Sequence, residues 1–437
     1  MNRAELTANA IYVPDTKPQN IPRKQLFAAM VGNIFEYYDF GIFALMASFI
    51  ATNFYQGDNV SGLLASFATF GVGFLARPLG GLLIGRIADK KGRKVALRLT
   101  IYGMAIGTVG IGLLPTYDSV GIWAPLALVV IRLIQGLAAG GEWGTATTFI
   151  VESAPQGKRG LYGSYGQMSI TAAIIATSGV VALFTFFFSP EQMNAWAWRI
   201  PFLLGAFLLV VGVYMRKNLE ETPAFIEAKQ KKHKHQITPI PRKQSISMMA
   251  KAFGFATIWT VSFYVMLQYM PTFLNKQVGL TQTQALTSNV LALVVLCLTM
   301  PFFGWLSDRI GRKPLLLACC LFFIIMPYPL FNVMLQSHSV YTVLTIQIVC
   351  NLFISAFSGA APATLCEIFP TSSRTMQLSI GYGLATAVFG GFAPFISTWL
   401  IDITNTAIAP VYYLMLAGVI SAFSILRLKE TVHESLN

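Results

Sequence analysis

Apolar stretches of about 20 residues recur along this chain of 437 residues, each long enough to cross roughly 30 Å of hydrocarbon as a helix. They fall near 27 to 53, 62 to 85, 96 to 114, 121 to 145, 161 to 188, 199 to 216, 248 to 274, 284 to 306, 314 to 336, 340 to 366, 376 to 401 and 409 to 427, numbered here spans 1 to 12. With 55% hydrophobic and only 11% charged residues, the chain cannot bury its apolar surface in one water-soluble globule. Lipid is its solvent, and the expected fold is an all-α integral membrane bundle.

A net charge of +13 would suggest a nucleic-acid partner in a soluble protein, so the positions of the cations decide its meaning. Of 31 Lys and Arg, 27 lie in the two termini or in connections that follow even-numbered spans. Insertion leaves basic residues on the cytoplasmic side, so both termini are expected there, with no nucleic-acid partner. Trp123, Trp196, Trp198 and Trp399 stand at the opposite ends, where indoles favour the membrane boundary. The first apolar run is too long for a signal peptide core and is expected to stay as span 1.

Ten residues are used twice. Gly85-Arg-Ile-Ala-Asp89-Lys-Lys-Gly92-Arg93-Lys94 follows span 2, and Gly304-Trp-Leu-Ser-Asp308-Arg-Ile-Gly311-Arg312-Lys313 follows span 8. Glu152 and Arg159 after span 4 likewise match Glu367 and Arg374 after span 10 in spacing. The chain therefore reads as two similar six-helix halves, 27–216 and 248–427, joined by a hydrophilic linker at 217–247 and flanked by cytoplasmic tails at 1–26 and 428–437. The repeated acids and arginines, Asp89, Arg93, Glu152, Arg159, Asp308, Arg312, Glu367 and Arg374, form a candidate cytoplasmic gate that latches in one state and releases in the other. The five cysteines lie in apolar segments without metal-ligand spacing, and no cofactor or metal motif is present.

A charge near the bilayer centre is costly unless paired or hydrated, which makes each one a candidate functional group. Glu36 and Asp39 share one face of span 1, Arg77 lies in span 2, and span 4 carries Arg132, Gln135, Ala139 and Glu142 as one stripe. Crowded carboxylates beside a cation have divergent proton affinities, so Asp39, then Glu36 and Glu142, are the candidates for carrying a proton. Arg77 and Arg132 can each clamp a substrate carboxylate with two parallel hydrogen bonds. Tyr38, Gln135, Gln167, Tyr264, Gln268 and Tyr382 are further candidate ligands. Span 7 onward is almost free of buried charge, and its Trp259, Tyr264 and Tyr382 offer aromatic faces suited to a cation.

The repeated G-x-x-x-D-[KR]-x-G-R-K loops resemble the signature of the major facilitator superfamily. Asn33-x-x-Glu36-Tyr-x-Asp39-Phe, Arg77-Pro-Leu-Gly-Gly, Arg132-Leu-Ile-Gln135-Gly136, Trp198-Arg199-Ile-Pro201-Phe and Leu219-Glu-Glu-Thr-Pro-Ala-Phe225 are similar to the metabolite:proton symporters. That family includes transporters of α-ketoglutarate, shikimate, citrate and proline or betaine. The resemblance implies twelve transmembrane helices, import of a small carboxylate-bearing metabolite by proton symport and alternating access, with the site between the halves. It also implies no cofactor and a monomer whose partners are substrate, protons and the lipid bilayer. Two other readings weigh less: a drug/proton antiporter would be expected to carry G-x-x-x-G-P in span 5, absent from Ser164 to Phe184, and a passive facilitator leaves the acids of span 1 unexplained. No nucleophile-base pair or phosphate loop suggests an enzyme.

Overall fold

The computed structural model describes residues 23–56, 59–91, 93–152, 154–207, 210, 241–337, 339–370, 374–432 and 434, with backbone alone for residues 85–91 and 93–98. It is 87% helix, and no strand occurs among the described residues. In hydrocarbon every peptide group must be satisfied within its own segment, which long helices achieve. Seven described helices are long and apolar enough to cross a bilayer. Two bent pairs supply spans 1 and 9: Gly32–Leu45 with Ala47–Phe54, at 61°, and Lys313–Ile325 with Pro327–Ser337, at 53°. The shorter apolar helices Leu99–Leu113 and Pro410–Leu426 belong to spans 3 and 12. Span 6 starts with the helix Arg199–Leu203, and residues 208–209 and 211–216 of its expected length lie outside the described residues.

Hydropathy marks the edge of the lipid rather than the end of a helix, and several spans, 4 and 7 most of all, outrun their expected limits for that reason. Span 7 begins at Arg242, not near 248, because its first turn is polar but helix-competent; the rest of the 217–247 linker is outside the described residues. Span 4 reaches Glu152, not 145, so this acid belongs to a last helical turn rather than a loop. Span 4 is also interrupted. Its helix Trp123–Ala139 stops at Gly140-Gly141, where consecutive glycines weaken helical order, and resumes as Glu142–Glu152. Gly140 keeps right-handed helical dihedrals and Trp123–Glu152 passes as one span, so Glu142 follows Arg132, Gln135 and Ala139 across a two-residue turn.

Proline explains a second irregularity. Pro271 has no N–H to give to Leu267, and the backbone just before it, Tyr264–Tyr269, runs as a wider π-helical turn. The freed Leu267 carbonyl accepts from Asn289 Nδ2 of span 8 at 3.1 Å. Thr386–Gly390 of span 11 is another of the four described π-helical segments, and Tyr264–Tyr269 is buried throughout.

The halves meet along two related seams, span 5 against span 8 and span 2 against span 11, which exchange places if the halves are swapped. Backbones touch where glycines face each other: a Cβ on Gly304 would stand 2.7 Å from the Gly160 carbonyl oxygen. Away from the basic end, Phe67 packs edge-on to Tyr269 at 5.7 Å, and Phe392 fills the space beside Gly71, closing that side as well.

Candidate substrate and proton site

Between the halves lies a cavity of about 220 Å³ of empty space, lined by Tyr37 and Gln167 from the first half and by Trp259, Thr260, Phe263, Tyr264 and Tyr382 from the second. Its enclosed part has room for about one water molecule, so the walls must part to admit a solute. Its walls are aromatic and uncharged. Trp259 is fixed by Nε1 donating to Ser358 Oγ at 2.9 Å, and its ring lies 5.4 Å from Tyr382. Tyr382 stacks on Trp143 of span 4 at 3.7 Å and 22°.

The charges stand behind this wall. Arg77 Nη1 meets Glu36 Oε1 at 2.9 Å, and its guanidinium covers the rings of Phe40 and Phe74 at 4.2 and 4.3 Å. Phe74 packs against Tyr264 at 5.2 Å. The ion pair thus adjoins the cavity through a layer of rings. Two ions removed from water gain little net stability as a pair, whereas removing one partner leaves a buried charge.

A second network lies along spans 1, 3 and 4. Asp39 Oδ1 accepts from Thr108 Oγ1 and from Gln135 Nε2, the latter at 2.6 Å. Gln135 Oε1 in turn accepts from Arg132 Nη1 at 2.8 Å, so a carboxamide separates acid from base. Arg132 is fully buried and rests on Phe43 at 4.0 Å and Phe40 at 4.8 Å. Asp39 Oδ2 is buried without a hydrogen-bond partner among the described residues, a free oxygen able to take a proton.

The other candidates disperse. Gln167, Tyr264 and Tyr382 reach the cavity. Tyr38 instead donates to the Pro201 carbonyl at 2.9 Å, and Gln268 is buried in the π-helical turn outside the cavity lining. Beyond the interruption of span 4, Glu142 accepts from Thr100 Oγ1 at 3.5 Å, apart from the Asp39 network. Sequence reasoning missed Tyr37, Thr260, Phe263 and Trp143. An aromatic residue beside a mid-membrane charge or glycine pair was the available signal for Tyr37 and Trp143.

At the basic end the repeated residues exchange partners between halves. Glu152 of span 4 pairs with Arg374 of span 11, and Arg159 of span 5 meets Glu367 of span 10 at 3.5 Å. Arg312 joins Asp308 at 2.7 Å and Glu367 at 3.3 Å. Asp308 accepts from the backbone N–H groups of Gly160 and Leu161, each at 2.9 Å, meeting the unsatisfied donors at the start of span 5. The side chains of Asp89 and Arg93 are outside the described residues.

The segment after span 12 folds back onto this cluster. Glu430 accepts from the N–H groups of Arg312 and Lys313 at 3.0 Å each, and Thr431 Oγ1 donates to Glu367 Oε2 at 2.7 Å. Burial raises the proton affinity of Glu430, but backbone donors from Arg312, Lys313, Thr431 and Val432 outweigh it and hold the carboxyl below its usual range. With the folded value depressed, this contact is complete above the ordinary glutamate range near pH 4.3 and is lost only as acid falls below it. Glu430→Ala should therefore release the segment at neutral pH, with tryptic cleavage at Arg427 and Lys429 about tenfold faster. Unchanged cleavage would show that the segment is held by other contacts.

Comparison with known proteins agrees with this architecture. Residues 24–242 match the sugar (and other) transporter model, and residues 285–437 match the major facilitator superfamily model. A putative proline/betaine transporter of Staphylococcus aureus (strain COL) is 34% identical over 91% of this chain and 86% of its own length. The chain belongs to the major facilitator superfamily. The proline/betaine transporter of Escherichia coli (strain K12) is 32% identical, covering 95% of this chain and 85% of the relative. Among solved structures, a D-xylose-proton symporter superposes with a TM-score of 0.74 at 19% identity, over 95% of this chain and 99% of that one. A proton:xylose symporter bound to 6-bromo-6-deoxy-D-glucose superposes with a TM-score of 0.78 at 17% identity, covering 95% and 97% of the two chains. At such identity these two show the fold, with its twelve helices. Superfamily members are transporters and not enzymes.

Proposed function

We propose that this chain imports a small zwitterion of the proline/betaine type together with a proton, by alternating access about the central cavity. The observation that carries this reading is the neutrality of the cavity wall: the residues that line it are aromatic or uncharged, while Arg77 and Arg132 are engaged behind it. A dicarboxylate needs a cation on the wall, whereas a substituted ammonium is stabilised by ring faces. Hydroxyls of Tyr37 and Thr260 and the amide of Gln167 supply donors for one carboxylate. The names of the curated relatives support the same substrate class. Asp39 is the proton carrier in this reading, and the ion pairs at the basic end are the cytoplasmic gate. The protein acts as a monomer in a bacterial inner membrane, with both termini cytoplasmic and the halves joined by the 217–247 linker.

An organic-acid substrate is the second reading, favoured by the Nε and Nη2 donors of Arg77 and Arg132, which have no hydrogen-bond partner among the described residues. Charge movement separates the two. A proton with a zwitterion moves one positive charge inward and gains roughly 2.3 kcal/mol per 100 mV. A proton with a monoanion moves none. Reconstituted protein is expected to accumulate glycine betaine or proline under voltage alone, at equal pH on both sides. Voltage-independent uptake of a mono- or dicarboxylate would overturn the assignment.

A further inference from the structure

Trp143 has no part in the proton network or the cavity lining, yet it is 5% exposed and its ring lies flat on Tyr382 across the seam between the halves. It also meets Trp259 edge-on at 6.0 Å, so three rings from spans 4, 7 and 11 converge on the side of the cavity that Tyr382 forms. Spans 4 and 11 touch again beside this stack, where a Cβ on Gly144 would collide with Ser379 Oγ. The same two spans then carry the Glu152–Arg374 ion pair. Nine residues separate Trp143 from Glu152 and eight separate Tyr382 from Arg374, so at 1.5 Å rise per residue the ring stack and the ion pair form layers about 12 Å apart.

We infer that the Trp143–Tyr382 stack is a second, inner gate, an apolar shutter between the cavity and the ion-pair layer. This rests on the alternating-access reading above. Parting of the halves at the cytoplasmic end must unstack the two rings before a solute in contact with Tyr382 can leave. Gly140, immediately before this part of span 4, is packed on the span 2 backbone, where a Cβ would collide with the Arg77 carbonyl oxygen, so Trp143 shifts with spans 2 and 4 together when the halves part. Trp143 is a positioning residue in this scheme: it bars the path and contacts the site through Tyr382 and Trp259.

The test uses the full chain in proteoliposomes, with Cys297, Cys319, Cys320, Cys350 and Cys366 replaced and Thr260→Cys placed in the cavity. Labelling of that cysteine by a membrane-impermeant maleimide from the cytoplasmic side should be about tenfold faster in Trp143→Ala, and should stay within about twofold of the parent in Trp143→Phe, which keeps a ring to stack. Equal rates in the parent and Trp143→Ala would overturn the proposal. Tyr382→Leu removes the other half of the stack and must also speed labelling, so the question is decided even where one variant fails to fold. A parallel assay with the native residues should show that Trp143→Ala lowers proton-driven accumulation of glycine betaine about tenfold. Labelling requires no substrate, so a parent protein that accumulates no zwitterion would sink the substrate assignment while leaving the shutter to be judged on accessibility.

Discussion

Asp39→Asn is expected to abolish uphill transport while leaving exchange of substrate across the membrane intact. The carboxamide keeps the shape of the side chain and its contacts with Thr108 and Gln135 in span, but it cannot bind or release the proton that Oδ2 is placed to carry. Two pH units and 100 mV together supply roughly 5 kcal/mol to one proton moved with a zwitterion, which allows accumulation of about a thousandfold or more. In the variant the ratio should fall to about one, with counterflow within a few-fold of the parent. Accumulation that survives the substitution would remove Asp39 from the coupling role. Loss of counterflow as well would point to a structural role in the hydrogen-bonded chain to Arg132.

The second large effect is expected at the aromatic wall. Trp259→Leu removes the ring beside Tyr382 and leaves Ser358 without the indole donor that fixes it. A desolvated contact between a cation and an indole face is worth about 2 kcal/mol or more, so KM for glycine betaine should rise about thirtyfold. A substrate whose recognition does not depend on ring faces should lose far less. Competition between glycine betaine and a small carboxylic acid in the same proteoliposomes measures the difference. Equal losses for both would show that Trp259 shapes the cavity without selecting a cation.

The comparison of residues with geometry separates what was legible from what was not. Helical spans, their alternation and the duplication of the halves follow from local chemistry, because the length of each apolar run, the side on which lysine and arginine collect and the G-x-x-x-D-[KR]-x-G-R-K repeat are all read without knowing any contact. The buried charges were visible for the same reason: lipid makes each one an exception. Their partners were not. Glu152 and Arg159 read as a spacing repeated at Glu367 and Arg374, with no partner assigned to each; the fold pairs Glu152 with Arg374 and Arg159 with Glu367, because the two-fold relation between repeats brings equivalent connections face to face. Glu142 read as part of one stripe with Arg132 and Gln135, and its bond from Thr100 of span 3 follows from how the helices pack.

From its residues alone, this chain is determined to be a twelve-span membrane protein built of two related halves, with rare acids and bases at mid-depth, because bilayer thickness and the cost of unpaired charge act on each segment separately. Tertiary structure decided which of those charges remain behind the cavity wall, that the wall itself is aromatic, and that Trp143 meets Tyr382. Those facts depend on the crossing of spans far apart in sequence, and no local pattern encodes which faces meet when one half closes on the other.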